Sequence, residues 1–151
     1  MNPPPSEERI GAWRALMRAH AAVTDEIDRV LQDEVGIPGP WYEALVEIAF
    51  AGGSMRMSEF AEETTLTKSG ATRFADRLEE AGLVERRRCP TDRRGWELVL
   101  TAPGKQMQRR ADPHVLDVIH RRFGSWLTDE EAGIILAALT RVSRAEKLEA
   151  V

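Results

Sequence analysis

Cysteine is nearly absent from this 151-residue chain: Cys89 is the only one. No disulfide can close within one molecule, which fits a reducing compartment and predicts a cytoplasmic protein. Long apolar runs are missing too, none approaching the roughly 18 residues that a membrane-spanning helix needs. The opening Met1-Asn2-Pro3-Pro4-Pro5-Ser6 has neither a basic n-region nor an apolar core, so no export signal is expected there. The sequence has no phosphate loop, cofactor fingerprint, Cys/His cluster or nucleophile–base–acid spacing, which together argue against an enzyme. Only three histidines are available as metal ligands. His114 and His120 stand six apart, and structural or surface roles are expected for them. Internal repeats are absent as well.

What remains is ordinary in amount and uneven in placement. A chain 42% hydrophobic and 30% charged suits one soluble, helix-rich domain with a real core. The net charge of −4 conceals a polarity: residues 67–110 hold 11 Lys/Arg against 6 Asp/Glu, a net +5, which leaves −9 for the rest. A local basic footprint is what phosphate neutralisation requires, and an acidic remainder helps to orient it.

The basic region is also the most patterned. Ala71, Phe74, Ala75, Leu78 and Ala81 recur at helical spacing and form an inward face. Lys68, Ser69, Thr72, Arg73 and Arg77 fall on the outward one. Thr67 serves as N-cap, and Gly82 stops the helix at the C′ position. Upstream, Ser58 is an N-cap for a short helix over 59–64, so residues 58–82 read as a helix-turn-helix. Downstream, a strand over 83–88 and another with alternating Trp96, Leu98 and Leu100 flank a projecting seven-residue loop, 89–95. Trp96 is expected to pack on the helix-turn-helix.

Long helices flank this unit. One begins at Ser6 or Glu7, carries Ile10, Trp13, Leu16, Met17, Val23, Ile27, Val30 and Leu31, and ends before Gly36 and Pro38. Pro40 starts a second helix over 41–51, with Trp41, Leu45, Ile48 and Ala49 inward, and residues 56–57 suit a short edge strand. Thr101 caps a helix over 102–126. Thr128 to Glu131 is a capping box opening a last helix with Ile134, Ile135, Leu136, Leu139 and Val142. The first stripe is too long for local cover and implies a partner chain. The fold class is mainly α with a small β-hairpin wing.

The stretches LTKSGATRFADRLEEAGLVERRR (66–88), DRRG (92–95) and LTAPG (100–104), in this order, resemble the MarR family of transcriptional regulators. The resemblance implies a winged helix-turn-helix with flanking N- and C-terminal dimerisation helices: one domain over 1–151, with a lobe at 40–101 between dimerisation helices at 7–35 and 102–147. It implies a homodimer on double-stranded DNA, reading a pseudo-palindrome and usually repressing. Thr67, Lys68, Ser69, Thr72, Arg73 and Arg77 are the expected helix contacts. Arg93 and Arg94 are expected to enter the minor groove, where narrow grooves concentrate negative potential, with Asp92 shaping the wing.

No resident cofactor is expected; the family's usual effector is a small aromatic or phenolic acid. Trp13, His20, Trp41 and Tyr42 would line its cleft, with Arg86 or Arg88 as cation. The competing reading places Trp13 and Trp41 in the dimer core. Cys89 follows three arginines, which would lower its thiol pKa if it is exposed, whereas the family's peroxide sensors carry their cysteine in the first helix, where this chain has none. A winged helix that binds another protein instead of DNA is the alternative function.

Overall fold

The computed structural model describes residues 4–149 except Thr91, with side chains described for residues 4–90 and 95–143. Helix α1 (Glu7–Val30) begins with two acids at its positive end, and its last turn widens into a π-turn, Leu31–Val35. Gly36 N–H closes that turn on the Leu31 carbonyl at 2.8 Å. α2 (Gly39–Phe50) follows Pro38, one step earlier than the sequence implies. β1 (Ser54–Arg56) leads directly into α3 (Met57–Glu63). Ser58 is therefore not the N-cap: Arg56 is, and its N–H donates to Glu59 Oε2 at 3.3 Å. The remaining elements are α4 (Lys68–Glu80), β2 (Val84–Cys89), β3 (Asp92–Leu100), α5 (Ala102–Arg122), a 3-10 turn (Gly124–Trp126) and α6 (Asp129–Glu149).

The strands form an antiparallel sheet in the order β1-β3-β2, with Met55 opposite Leu98 and Val84 opposite Leu100. The hairpin is tighter than the expected seven-residue loop. β2 extends to Cys89 and β3 starts at Asp92, with a register shift between Arg88 and Cys89. The 3-10 turn likewise takes the end of what reads as one continuous helix.

The chain divides into two compact units, Ile27–Val115 and Met1–Glu26 with Leu116–Val151. In the first, Leu45, Ile48, Phe60, Ala71, Ala75, Leu78, Val84, Leu98 and Leu100 form the core, and Trp41 and Ala49 pack on it half-buried. A satellite cluster gathers Leu31, Ile37, Ala111 and Val115 with Tyr42 alongside. The Tyr42 hydroxyl donates to Asp112 Oδ1 at 2.9 Å. Burial, then this bond and the Asp112 charge, push the phenol well above its ordinary range.

In the second unit, α1 buries almost nothing apolar within one chain. Trp13 is 61% exposed, and Leu116, Trp126, Ile134, Leu136 and Val142 are more so. The buried residue of α1 is a charge: Glu26 receives Arg121 Nη1 at 3.1 Å and Arg122 Nε, while Arg121 also holds Asp117 at 2.8 Å. Burial by itself would raise the Glu26 carboxyl. Hydrogen bonds and charge from Arg122 and Arg121 outweigh it and hold it below the usual range.

A carboxyl depressed on folding contributes stability above the free glutamate value of about 4.3, and loses it as pH falls through the lower folded value. Glu26→Gln should therefore lose less stability on acidification than the wild type, measured as urea midpoints from neutral pH to about pH 3. Parallel losses in the two proteins would assign the acid sensitivity to other carboxyls.

Candidate nucleic-acid interface

Helix α4 is built to present one face. Ala71, Phe74, Ala75 and Leu78 are buried in the lobe core, whereas Ala81, expected with them, is exposed because the helix has already ended. Phe74 stacks on Phe60 with centroids 5.8 Å apart, seating α4 on α3. Thr67 caps the helix: its Oγ1 accepts from Gly70 N–H at 3.1 Å. At the other end Leu83 N–H reaches the Leu78 carbonyl and Gly82 N–H the Glu79 carbonyl, a Schellman closure that requires the left-handed φ of +73° at Gly82. The turn before α4 closes in the same way, but with Thr65 at φ +52° in the slot that favours glycine. A β-branched residue there is strained, so the corner of the helix-turn-helix is held by its surroundings.

Thr67, Lys68, Ser69, Thr72, Arg73 and Arg77 are all exposed on the opposite side. Thr72 Oγ1 donates to the Lys68 carbonyl at 2.9 Å, which fixes its rotamer, and Arg77 lies 5.7 Å over the Phe74 ring. The structure thus brings these six together as one polar and basic surface. Asp92, Arg93 and Arg94 fall at the start of β3, and their side chains lie outside the described residues.

Three consecutive arginines in β2 have three different partners. Arg86 grips α4: Nη1 is 2.6 Å from Asp76 Oδ1 and 2.8 Å from Glu79 Oε2, and Nη2 donates to the Thr72 carbonyl at 3.0 Å. Its backbone N–H also donates to Glu79 Oε1 at 3.0 Å. The expected role of Arg86 as the effector's cation is corrected here, because its guanidinium is already committed to two carboxylates and a carbonyl. The same bonds offset the charge of two acids on α4. Arg87 pairs with Glu85 on the other face of the strand. Arg88 lies over the ring of Trp96, 4.1 Å from its centroid. Trp96, expected to pack on the helix-turn-helix, is 42% exposed and lies on the wing surface, outside the residues packed on the lobe core. Sequence reading missed both arginine contacts. Strand alternation was the available signal, since it places Arg86 and Arg88 on one face and Arg87 on the other.

The other candidates are divided between the two units. Trp13 and His20 belong to the terminal unit, and Trp41, Tyr42 and Arg86 to the winged one. His20 lines an apolar cavity of about 260 Å³ with Leu16, Val23, Ile119, Phe123 and Leu139. Cys89 is buried, which removes the exposure that a redox switch needs. Among the described residues no group of three or more His, Cys, Asp or Glu could hold a metal ion, and no helix is long and apolar enough to cross a membrane.

Comparison with known proteins agrees with this geometry. The MarR family profile matches residues 35–95. A putative transcriptional regulatory protein for the hcr operon of Thauera aromatica is 30% identical over 129 residues, spanning 85% of this chain and 76% of that protein. AbsC from Streptomyces coelicolor, a MarR family transcriptional regulator, superposes with a TM-score of 0.84 at 31% identity, over 99% of this chain and 100% of its own. Sco3205 from the same organism, a MarR family regulator solved in complex with DNA, gives 0.84 at 29% identity, over 96% of this chain and 91% of its own. The helix-turn-helix, the wing ladder and the long flanking helices thus have their counterparts in regulators of one kind, and the chain belongs to the MarR family of winged helix-turn-helix transcriptional regulators.

Proposed function

We propose that the protein is a homodimeric, ligand-responsive repressor in the cytoplasm that binds a pseudo-palindromic operator through two winged lobes. The observation that carries this reading is the two-faced α4, packed on one side and presenting Lys68, Ser69, Thr72, Arg73 and Arg77 on the other. Lys68 and Thr72, near the helix N-terminus, suit base edges; Ser69, Arg73 and Arg77 suit phosphates, with Thr67 holding the first turn. Arg93 and Arg94 serve the minor groove, and Asp92 the bend of the wing. A relative solved with DNA supports the same use of the fold.

The dimer is supported by the apolar residues that α1, α5 and α6 leave exposed, too many for a solitary surface. The helices over 7–35 and 102–147 form the dimer and residues 40–101 the reading lobe, all within one domain over 1–151. Two lobes would meet the duplex about one turn, roughly 34–36 Å, apart. A small aromatic or phenolic acid is the effector class, acting on lobe spacing. The cavity beside His20, lined by apolar side chains, offers it one wall.

The test is binding to DNA upstream of the protein's own gene, measured against salt. A steep decline of log K with log salt, about 0.9 for each phosphate neutralised, and survival against competitor DNA are expected. A folded dimer that binds no native fragment would leave the protein-interaction role in its place.

A further inference from the structure

Helix α5 runs on through Pro113, and the residue before that proline, Asp112, is bonded from another helix. A proline inside a helix has no N–H for the carbonyl four residues back, here that of Arg109, and it disfavours helix at the residue before it. The weak turn of α5 is therefore 109–113. Arg109 and Pro113 are exposed, so the missing bond lies on the outer face. Asp112 is half-buried on the inner side, where its Oδ1 accepts from the Tyr42 hydroxyl of α2 at 2.9 Å.

The packing around this turn is thin. Ala111 and Val115, on either side of Pro113, are buried with Leu31 and Ile37, and Tyr42 packs alongside. Leu31 opens the π-turn, where α1 also departs from regular helical bonding. Two helices thus lose their regular bonds at one small cluster. Four buried aliphatic side chains give the turn little apolar cover, so one polar bond is a large share of what holds it. The phenol, held well above its ordinary range, keeps its proton and remains a donor.

We propose that Tyr42 and Asp112 form a latch on a hinge in α5. With the bond made, the Pro113 turn is held helical beside α2. With it broken, the turn opens while the rest of the winged lobe stays folded. The device stands independently of the DNA-binding reading.

The experiment is hydrogen exchange on the full chain, read amide by amide at several urea concentrations below the unfolding transition. In the wild type the amides flanking Pro113, those of 110–112, 114 and 115, should exchange faster than those of α4. Their rates should depend little on urea, the mark of a small opening. Tyr42→Phe keeps the ring and removes the donor, and should speed these amides about tenfold with the urea dependence still weak. Pro113→Ala restores the N–H, and should slow them at least about tenfold, toward the rates of α4.

Flanking amides that open only with the lobe, at the urea dependence of α4, would overturn the hinge. An unchanged rate in Pro113→Ala would do the same. An unchanged rate in Tyr42→Phe would overturn the latch; if that variant fails to fold, Asp112→Ala, which removes the acceptor, decides the same point.

Discussion

Phe60→Ala should destabilise the winged lobe by roughly 3–5 kcal/mol, the range for deleting a large aromatic from a closed core. Phe60 has no exposed surface and stacks on Phe74, so its ring joins the short α3 to the recognition helix. Leu45, Ile48, Leu78 and Leu98 belong to the same core cluster and are equally buried. The cavity therefore cannot collapse cheaply, which places the cost toward the upper part of the range. Urea unfolding followed by far-ultraviolet circular dichroism reads it directly. A loss below about 1 kcal/mol would mean that α3 and α4 seat without the ring, contrary to the packing described.

Gly104→Ala should cost about 3 kcal/mol, at the upper end for overpacking. A Cβ at Gly104 would lie 2.0 Å from the Leu83 carbonyl oxygen and 2.9 Å from its carbon, both backbone atoms that no rotamer can move. Two bonds tie the start of α5 to the same segment, and a third caps the helix. Thr101 Oγ1 donates to the Gly82 carbonyl at 2.6 Å and accepts from Gly104 N–H at 3.0 Å, and Thr101 N–H reaches the Leu83 carbonyl at 3.2 Å. Relieving the clash lifts the helix away from these partners. Helix propensity alone favours alanine over glycine by about 1 kcal/mol, so the sign of the result separates the two effects. Gly133→Ala is the control: nothing lies within 4 Å of its added methyl, and a gain of up to about 1 kcal/mol is expected. Equal gains at both positions would show that α5 does not depend on close approach at Gly104.

Features fixed by near neighbours were legible in the sequence. The Thr67 cap, the Gly82 stop, the Thr128–Glu131 box and the face of Ala71, Phe74, Ala75 and Leu78 depend on spacing within a few residues, and the structure has each of them. Ser58 misled because a serine before an apolar run is a local signal, whereas β1 pairing with β3 carries the chain straight from Arg56 into the helix. The length of the wing loop was misjudged for a related reason. Cross-strand pairing decides where β3 starts, and only the register shows it. Arg86 was assigned to a ligand because the sequence marks a cation without showing its partners. Asp76 and Glu79 become its partners once the strand folds back along α4. Trp13 and Trp41 were visible as aromatics, but exposure in one unit and half-burial in the other depend on packing that no periodicity records.

The Arg86 clamp also bears on the kinetics of encounter. Because the base of the wing is bonded to Thr72, Asp76 and Glu79, helix and ladder turn together as one object. Each lobe then needs a single orientational success on meeting a duplex, where two loosely joined readers would need two in succession. Orientation is what holds typical association below the diffusion limit, so this preassembly favours capture, leaving residence time to the contacts themselves. Under the proposed function, an effector acting elsewhere in the molecule would move a finished reading head, and release would take the time of one rigid body leaving the duplex.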